Sequence, residues 1–233
     1  MPSSKWLLIF MSISLFSHNS SGNSLTQHPD WEQTDSYQIS LSGARLEMTL
    51  PRNYSTEHET ILPENKNLYD DSLYNDWPSF VLLDIHWKYA ARKILWQEIL
   101  GTLQVLAVIH KSSAELRSTN AHSSEFEAIV TRDLRESFEI EDGEMVAQSG
   151  IELPRKYHFV DINNTPWLRY TVIGGTSNAD MLSFSTPLTE QHYITVIFRI
   201  AGHQSYDTKD WHNTCIDDIE KIINSFKLNL PSK

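Results

Sequence analysis

The sequence predicts an α+β fold, a largely antiparallel sheet flanked by helices in an α/β/α sandwich, and three observations predict it. Along residues 193–200, Ile194, Val196, Phe198 and Ile200 alternate with Tyr193, Thr195, Ile197 and Arg199, the period-two pattern of a strand with one apolar face. From Trp211 onward, Cys215, Ile216, Ile219, Ile222, Ile223 and Phe226 fall within an arc of roughly 140° at about 100° per residue, which is one face of a helix. Ser42-Gly43 and Asn163-Asn164 each separate two alternating runs, the signature of hairpins and so of antiparallel neighbours.

The elements follow in order. Residues 1–22 combine Lys5, an apolar run of 11 residues at 6–16 and a small-residue stretch at 20–22, the layout of a signal peptide. That run is well short of the roughly 20 residues that span a bilayer, so no membrane span is expected in the mature chain. Residues 23–36 are polar without an apolar period and read as a linker, from which Trp31 can tuck back onto the fold. A single α/β domain is expected over residues 37–230. It opens with the hairpin of residues 37–42 and 45–51, and Pro51 stops the second strand.

Residues 52–76 show no sustained period, and a loop longer than about 12 to 15 residues in a compact domain is commonly functional. Residues 80–89 and 101–111 are rich enough in apolar side chains to be central strands, and the period leaves residues 90–100 as either a helical turn or a loop carrying Trp96. Ser124 and Glu127 form a capping-box pattern that opens a helix, with Phe126, Ile129, Val130 and Leu134 on one face. Asp133 falls inside that face and is expected to pair with an arginine such as Arg169 or Arg199. Residues 157–162 and 166–173 form the second hairpin, residues 182–186 a short strand, and the last helix has Asp207 or Thr208 as its N-cap.

This order of elements resembles the PsbP-like α/β/α sandwich superfamily. The residues that carry the resemblance are the early strand closing on Leu50-Pro51, the aromatic-rich strand entering the sheet, the long strand YITVIFRI, and the final helix ending in Ile-Ile-Asn-Ser-Phe. It would cover about residues 37–230. The resemblance implies a mostly non-enzymatic group of extrinsic subunits, small-GTPase binders, envelope proteins and secretion chaperones, and it transfers no site residue. The long segment 52–76 departs from the simplest members.

Composition excludes some functions. A net charge of −11 without a run of Lys and Arg among aromatics argues against nucleic acid and against an anionic membrane surface. Cys215, the single cysteine, lies in the apolar arc of the last helix and allows no intrachain disulfide. The sequence carries no Gly-x-Ser-x-Gly elbow, no phosphate-binding Gly-Lys-Ser/Thr loop and no His-Glu-x-x-His helix, and Gly202-His203-Gln204-Ser205 has the wrong spacing for a nucleophile turn. Its ten histidines are scattered without ligand-like pairing, so no metal or cofactor is expected.

Aromatics are concentrated instead. Tyr69, Tyr74, Trp77, Trp87, Tyr89 and Trp96 fall within 28 residues, most of them expected to fill the core. The first three sit among Glu57, Glu59, Glu64, Asp70, Asp71 and Asp76, a composition that can steer and anchor a basic partner. Tyr69, Tyr74 and Trp77 are therefore the expected partner contacts of an exported module, periplasmic or secreted, accessory or immunity-type in a bacterial envelope. The alternative is a small-ligand binder or hydrolase built on a polar sheet face from Asp161, Arg169, His192 and Arg199, which requires those groups to converge.

Overall fold

The computed structural model describes residues 25–57, 59–92, 96–112, 115–116, 121–138, 151–174, 181–202 and 209–230. Residues 1–22, read as a signal peptide, and the candidate caps Asp207 and Thr208 lie outside the described residues. In chain order the elements are β1 (Leu25–Gln27), β2 (Thr34–Leu41), β3 (Ala44–Pro51), a 3-10 turn (Asp71–Tyr74), β4 (Ser79–Arg92), β5 (Gln97–Lys111), α1 (Ser124–Phe138), β6 (Tyr157–Ile162), β7 (Thr165–Val172), β8 (Met181–Pro187), β9 (His192–Gly202), α2 (Lys209–Ser225) and β10 (Lys227–Asn229).

The two turns behave as their residues require. Ser42 and Gly43 have φ of 52° and 98°, and Asn163 and Asn164 have φ of 50° and 62°. Both central residues of each turn are therefore left-handed, which matches the twist of the strands they join. Leu41 faces Ala44 across the first turn, and Ile162 faces Thr165 across the second.

The strands form two antiparallel sheets, a seven-stranded one in the order β1-β4-β5-β9-β8-β7-β6 and a three-stranded one in the order β10-β3-β2. On β9, alternation divides the core. Ile194, Val196 and Phe198 join one cluster with Leu46, Met48 and Leu50 of β3 and Trp211, Cys215, Ile219, Ile222 and Ile223 of α2. Tyr193 faces the other way and joins Phe126, Ile129 and Val130 of α1. The fold is thus a sheet-dominated α+β arrangement with two helices among the described residues. On one face the three-stranded sheet shares the covering with α2, so the seven-stranded sheet is not flanked by helices alone as the predicted sandwich had it.

Three expectations need correction. The stretch read as a linker is structured over its described residues 25–36: β1 pairs with β4, Thr34 to Ser36 open β2, and the Trp31 indole N–H donates to Asp218 at 2.8 Å. Residues 90–100 hold no helical turn in their described part, since β4 runs to Arg92 and β5 starts at Gln97. The cap of α1 lies one residue earlier than predicted, with Ser123 Oγ accepting the Phe126 N–H at 3.1 Å.

The long loop 52–76 is a seam. The Ser55 N–H donates to the His86 carbonyl at 2.7 Å, and Ile61 exchanges two backbone bonds of 3.0 Å with Asp84, so the loop covers the outer edge of β4 beyond β1. The Lys66 N–H then donates to the Ser40 carbonyl at 3.1 Å, and Asn65 Oδ1 accepts the Ser40 N–H at 2.8 Å, so the same loop covers the outer edge of β2. Two sheet edges that would otherwise invite another chain are closed by one segment.

Candidate functional site

The end of that loop builds the most distinctive surface of the molecule. Leu68 is fully buried, and its N–H donates to Ser42 Oγ at 2.7 Å, which pins the chain. Asp70 then caps the 3-10 turn by accepting the Ser72 N–H at 3.0 Å. The turn swings the Tyr74 ring to 5.6 Å from both Phe80 and His192, and Tyr69 meets His192 edge-on at 5.5 Å. The sequence assigned Tyr69 and Tyr74 to one candidate site and His192 to another; the fold packs all three together. Tyr69 is 58% exposed, Tyr74 is half-buried, and His192 is buried with Nδ1 2.8 Å from Thr189 Oγ1.

Trp77 follows immediately, 72% exposed, at the lip of a cleft of about 340 Å³ between the start of β4, the end of β5 and α1. Pro78 and Ser79 continue the lip, His110 and Lys111 come from β5, and Asp133, Glu136 and Ser137 come from α1. The partners of Asp133 are not the arginines expected: Oδ1 accepts from Arg132 at 2.9 Å, and Oδ2 accepts the Tyr193 hydroxyl at 2.8 Å. The His110 ring stacks on Tyr193 with centroids 4.5 Å apart. Lys111 Nζ lies 2.7 Å from Asp71 Oδ1 and 5.4 Å from the Tyr74 ring centroid. The corner is thus an exposed indole beside carboxylates, with its one lysine already paired to Asp71. It suits a cationic side chain, which gains from both the aromatic face and the charge.

Both histidines here stay neutral at ordinary pH. Burial pulls His110 down to about 4, with Asp133 opposing the shift. Burial, followed by the Lys111 ammonium, pulls His192 to about 4 as well, against the Leu68 carbonyl. In the unfolded chain both titrate near 6.5, so between about pH 6.5 and 4 the unfolded state binds more protons than the folded one. Stability is therefore full above about 6.5 and falls as pH is lowered toward 4. Urea melts across that window should show the decline, and His110→Gln should make it shallower. An identical slope in the variant would remove His110 from the account.

Sequence reasoning found the exposed aromatics because they stand in an acidic loop. It missed the α1 wall of the cleft, since nothing local places residues 133–137 opposite residue 77. Of the clustered aromatics, Trp87 and Tyr89 are fully buried, whereas Trp96 is 63% exposed.

The polar-face residues do not converge. His158 lies opposite Arg169, Arg169 opposite Phe184, and Phe184 opposite Val196, so Arg169 shares a sheet face with the even-numbered residues of β9, His192 among them. Arg199, an odd position of β9, points to the other face, where its guanidinium reaches Met181 Sδ at 3.4 Å. Asp161 lies 3.5 Å from His122 at the far edge of the sheet. Among the described residues no three His, Cys, Asp or Glu side chains are grouped as metal binding requires, and no helix is long and apolar enough to cross a membrane.

No family model matches the chain, and no curated protein matches it. Among solved structures, the chain is similar to the solution structure of cyanobacterial PsbP (CyanoP) from Synechocystis sp. PCC 6803. The identity is 12%, the TM-score is 0.42, and the match covers 92% of this chain and 99% of that one. A likeness at that level transfers no role.

Proposed function

We propose that this chain is an exported, non-enzymatic accessory module, periplasmic or secreted, that docks a basic segment of a protein partner at the Trp77 corner. Its scaffold is read as PsbP-like from the strand order and the closing helix. The observation that carries the docking site is Trp77 itself, an indole 72% exposed that overhangs a cleft walled by Asp133 and Glu136. Asp76, exposed next to Trp77, adds a further carboxylate, in line with the net charge of −11. An immunity-type role belongs to the same reading, with the corner covering a basic partner.

Trp77→Ala tests it. As an exposed anchor, Trp77 should contribute about 2 kcal/mol or more of binding, roughly a thirtyfold loss of affinity, while its removal leaves stability within about 0.5 kcal/mol. Envelope proteins recovered at low salt by the wild type and lost with the variant would supply the partner for titration. A variant that melts normally and recovers the same partners with the same affinity would sink the docking site. The alternative of a small-ligand binder or hydrolase on the polar face has no such support, because Arg169 and Arg199 stand on opposite faces of the sheet.

A further inference from the structure

Four strands stand at the ends of the two sheets, β1 and β6 in one and β10 and β2 in the other. The seam loop covers β4 and β2, and on β10 the Asn163 side-chain amide donates to the Phe226 carbonyl at 2.7 Å while Thr165 Oγ1 donates to the Leu228 carbonyl at 3.4 Å. The outer side of β6 is paired to no strand among the described residues. Its open groups follow from the turn. A two-residue hairpin makes Ile162 and Thr165 a hydrogen-bonded pair, so alternation leaves Tyr157, Phe159 and Asp161 with N–H and C=O directed outward. The first hairpin bears out the rule: one residue before the Leu41–Ala44 pair, Ser40 presents both groups outward, and Asn65 and Lys66 take them.

The surroundings of the open edge have a definite chemistry. Beside it lies a groove of about 550 Å³ bordered by Lys156, His158, Phe159, Arg169 and Ile173. His158 and Arg169 are cross-strand neighbours on one face, and Lys156 lies two residues before His158, just ahead of β6. Neither Lys156 nor Arg169 has a carboxylate partner among the described residues, whereas Arg155 is held by Glu152 at 2.7 Å. On the other face Phe159 is 45% exposed. This is a cationic strip on a chain with a net charge of −11.

We propose that the outer edge of β6 is a β-augmentation site for an extended acidic segment of a protein partner, distinct from the Trp77 corner. An added strand takes its main-chain bonds from Tyr157, Phe159 and Asp161. Its alternate side chains then fall on the two faces of β6, carboxylates against Lys156, His158 and Arg169, and apolar groups against Phe159. The occupant is therefore a run of acidic and apolar residues in alternation.

The test titrates the full chain, labelled with nitrogen-15, with a terminally capped nine-residue peptide alternating Glu and Leu. The same peptide with Lys in place of Glu is the control. The expected result is binding that weakens with salt, with slowed amide exchange at Tyr157, Phe159 and Asp161 and no binding of the Lys peptide. His158→Glu should lower the affinity at least tenfold, and Trp77→Ala should leave it unchanged. Phe159→Pro removes an outward donor that no described residue uses and should abolish binding without lowering the melting temperature; if that variant unfolds, His158→Glu decides alone. Equal binding of the Lys peptide, or exchange unchanged along β6, overturns the proposal. Protection of β6 that grows with protein concentration in the absence of peptide also overturns it, by assigning the edge to a second copy.

Discussion

Asp218→Ala is expected to cost about 3 to 5 kcal/mol of stability, the largest single effect in the molecule. Asp218, near the middle of α2, is 1% exposed. Its Oδ1 accepts the Trp31 indole N–H at 2.8 Å, its Oδ2 accepts the Tyr89 hydroxyl at 2.9 Å, and Lys221 Nζ lies 3.7 Å away. Removing the carboxylate strands two donors, one of them in the core, at roughly 1 to 3 kcal/mol each, and frees the N-terminal segment that Trp31 ties down. Asp218→Asn keeps the size and one carbonyl oxygen, so it should retain part of the stability. The same pocket keeps Cys215 inert, since burial pushes its thiol up to about 12 with Tyr89 opposing and Asp218 adding to the shift. Urea unfolding of the three proteins decides the matter: a loss below about 1 kcal/mol for Asp218→Ala would show that the carboxylate does not organise this junction.

Gly101→Ala is the second, at about 3 kcal/mol, the upper end of overpacking costs. Gly101 and Gly202 face each other across β5 and β9, and the Trp211 indole of α2 lies over both. A Cβ on Gly101 would run into that ring and would sit 2.8 Å from the Ala201 carbonyl oxygen, so neither the side chain nor the backbone leaves it room. At Gly202 the added atom would meet only the Trp211 ring, at 2.9 Å, and Gly202→Ala should cost less. Trp211→Phe shortens the intruding ring and should recover part of the Gly101→Ala loss, a coupling of about 1 kcal/mol or more in a double-mutant cycle. Strict additivity of the two losses would show that the ring contact is not their cause. The glycines matter here for space and not for backbone conformation.

The two changes also mark where sequence reading stops. The apolar arc of α2 was legible from Trp211 to Phe226, because helical period is a property of neighbours in the chain. Nothing in that arc tells that Trp211 is received by two glycines from strands far away in sequence, or that Asp218, which the helix alone would leave at the rim of its apolar face, is the acceptor for Trp31 and Tyr89. The polar sheet face failed for a related reason. Arg169 and Arg199 each lie on an alternating strand, but which face each presents depends on the strand order and register between them.

The sequence by itself determined the two tight turns, whose Ser-Gly and Asn-Asn pairs tolerate positive φ, the alternation of β9, the apolar faces of both helices, and an acidic stretch rich in aromatics around residues 69–77. These are local, written in residues that adjoin or recur at a fixed period. Only the tertiary structure decided that three-residue strands β1 and β10 exist, since so few residues carry no period and owe their form to the strand beside them. It alone laid the long loop along parts of two sheet edges, set Trp77 over a cleft completed by α1, and left the outer side of β6 without a strand among the described residues. Each of those outcomes rests on backbone groups or side chains meeting across tens of residues, where the energy of the contact belongs to the pairing and to neither segment alone.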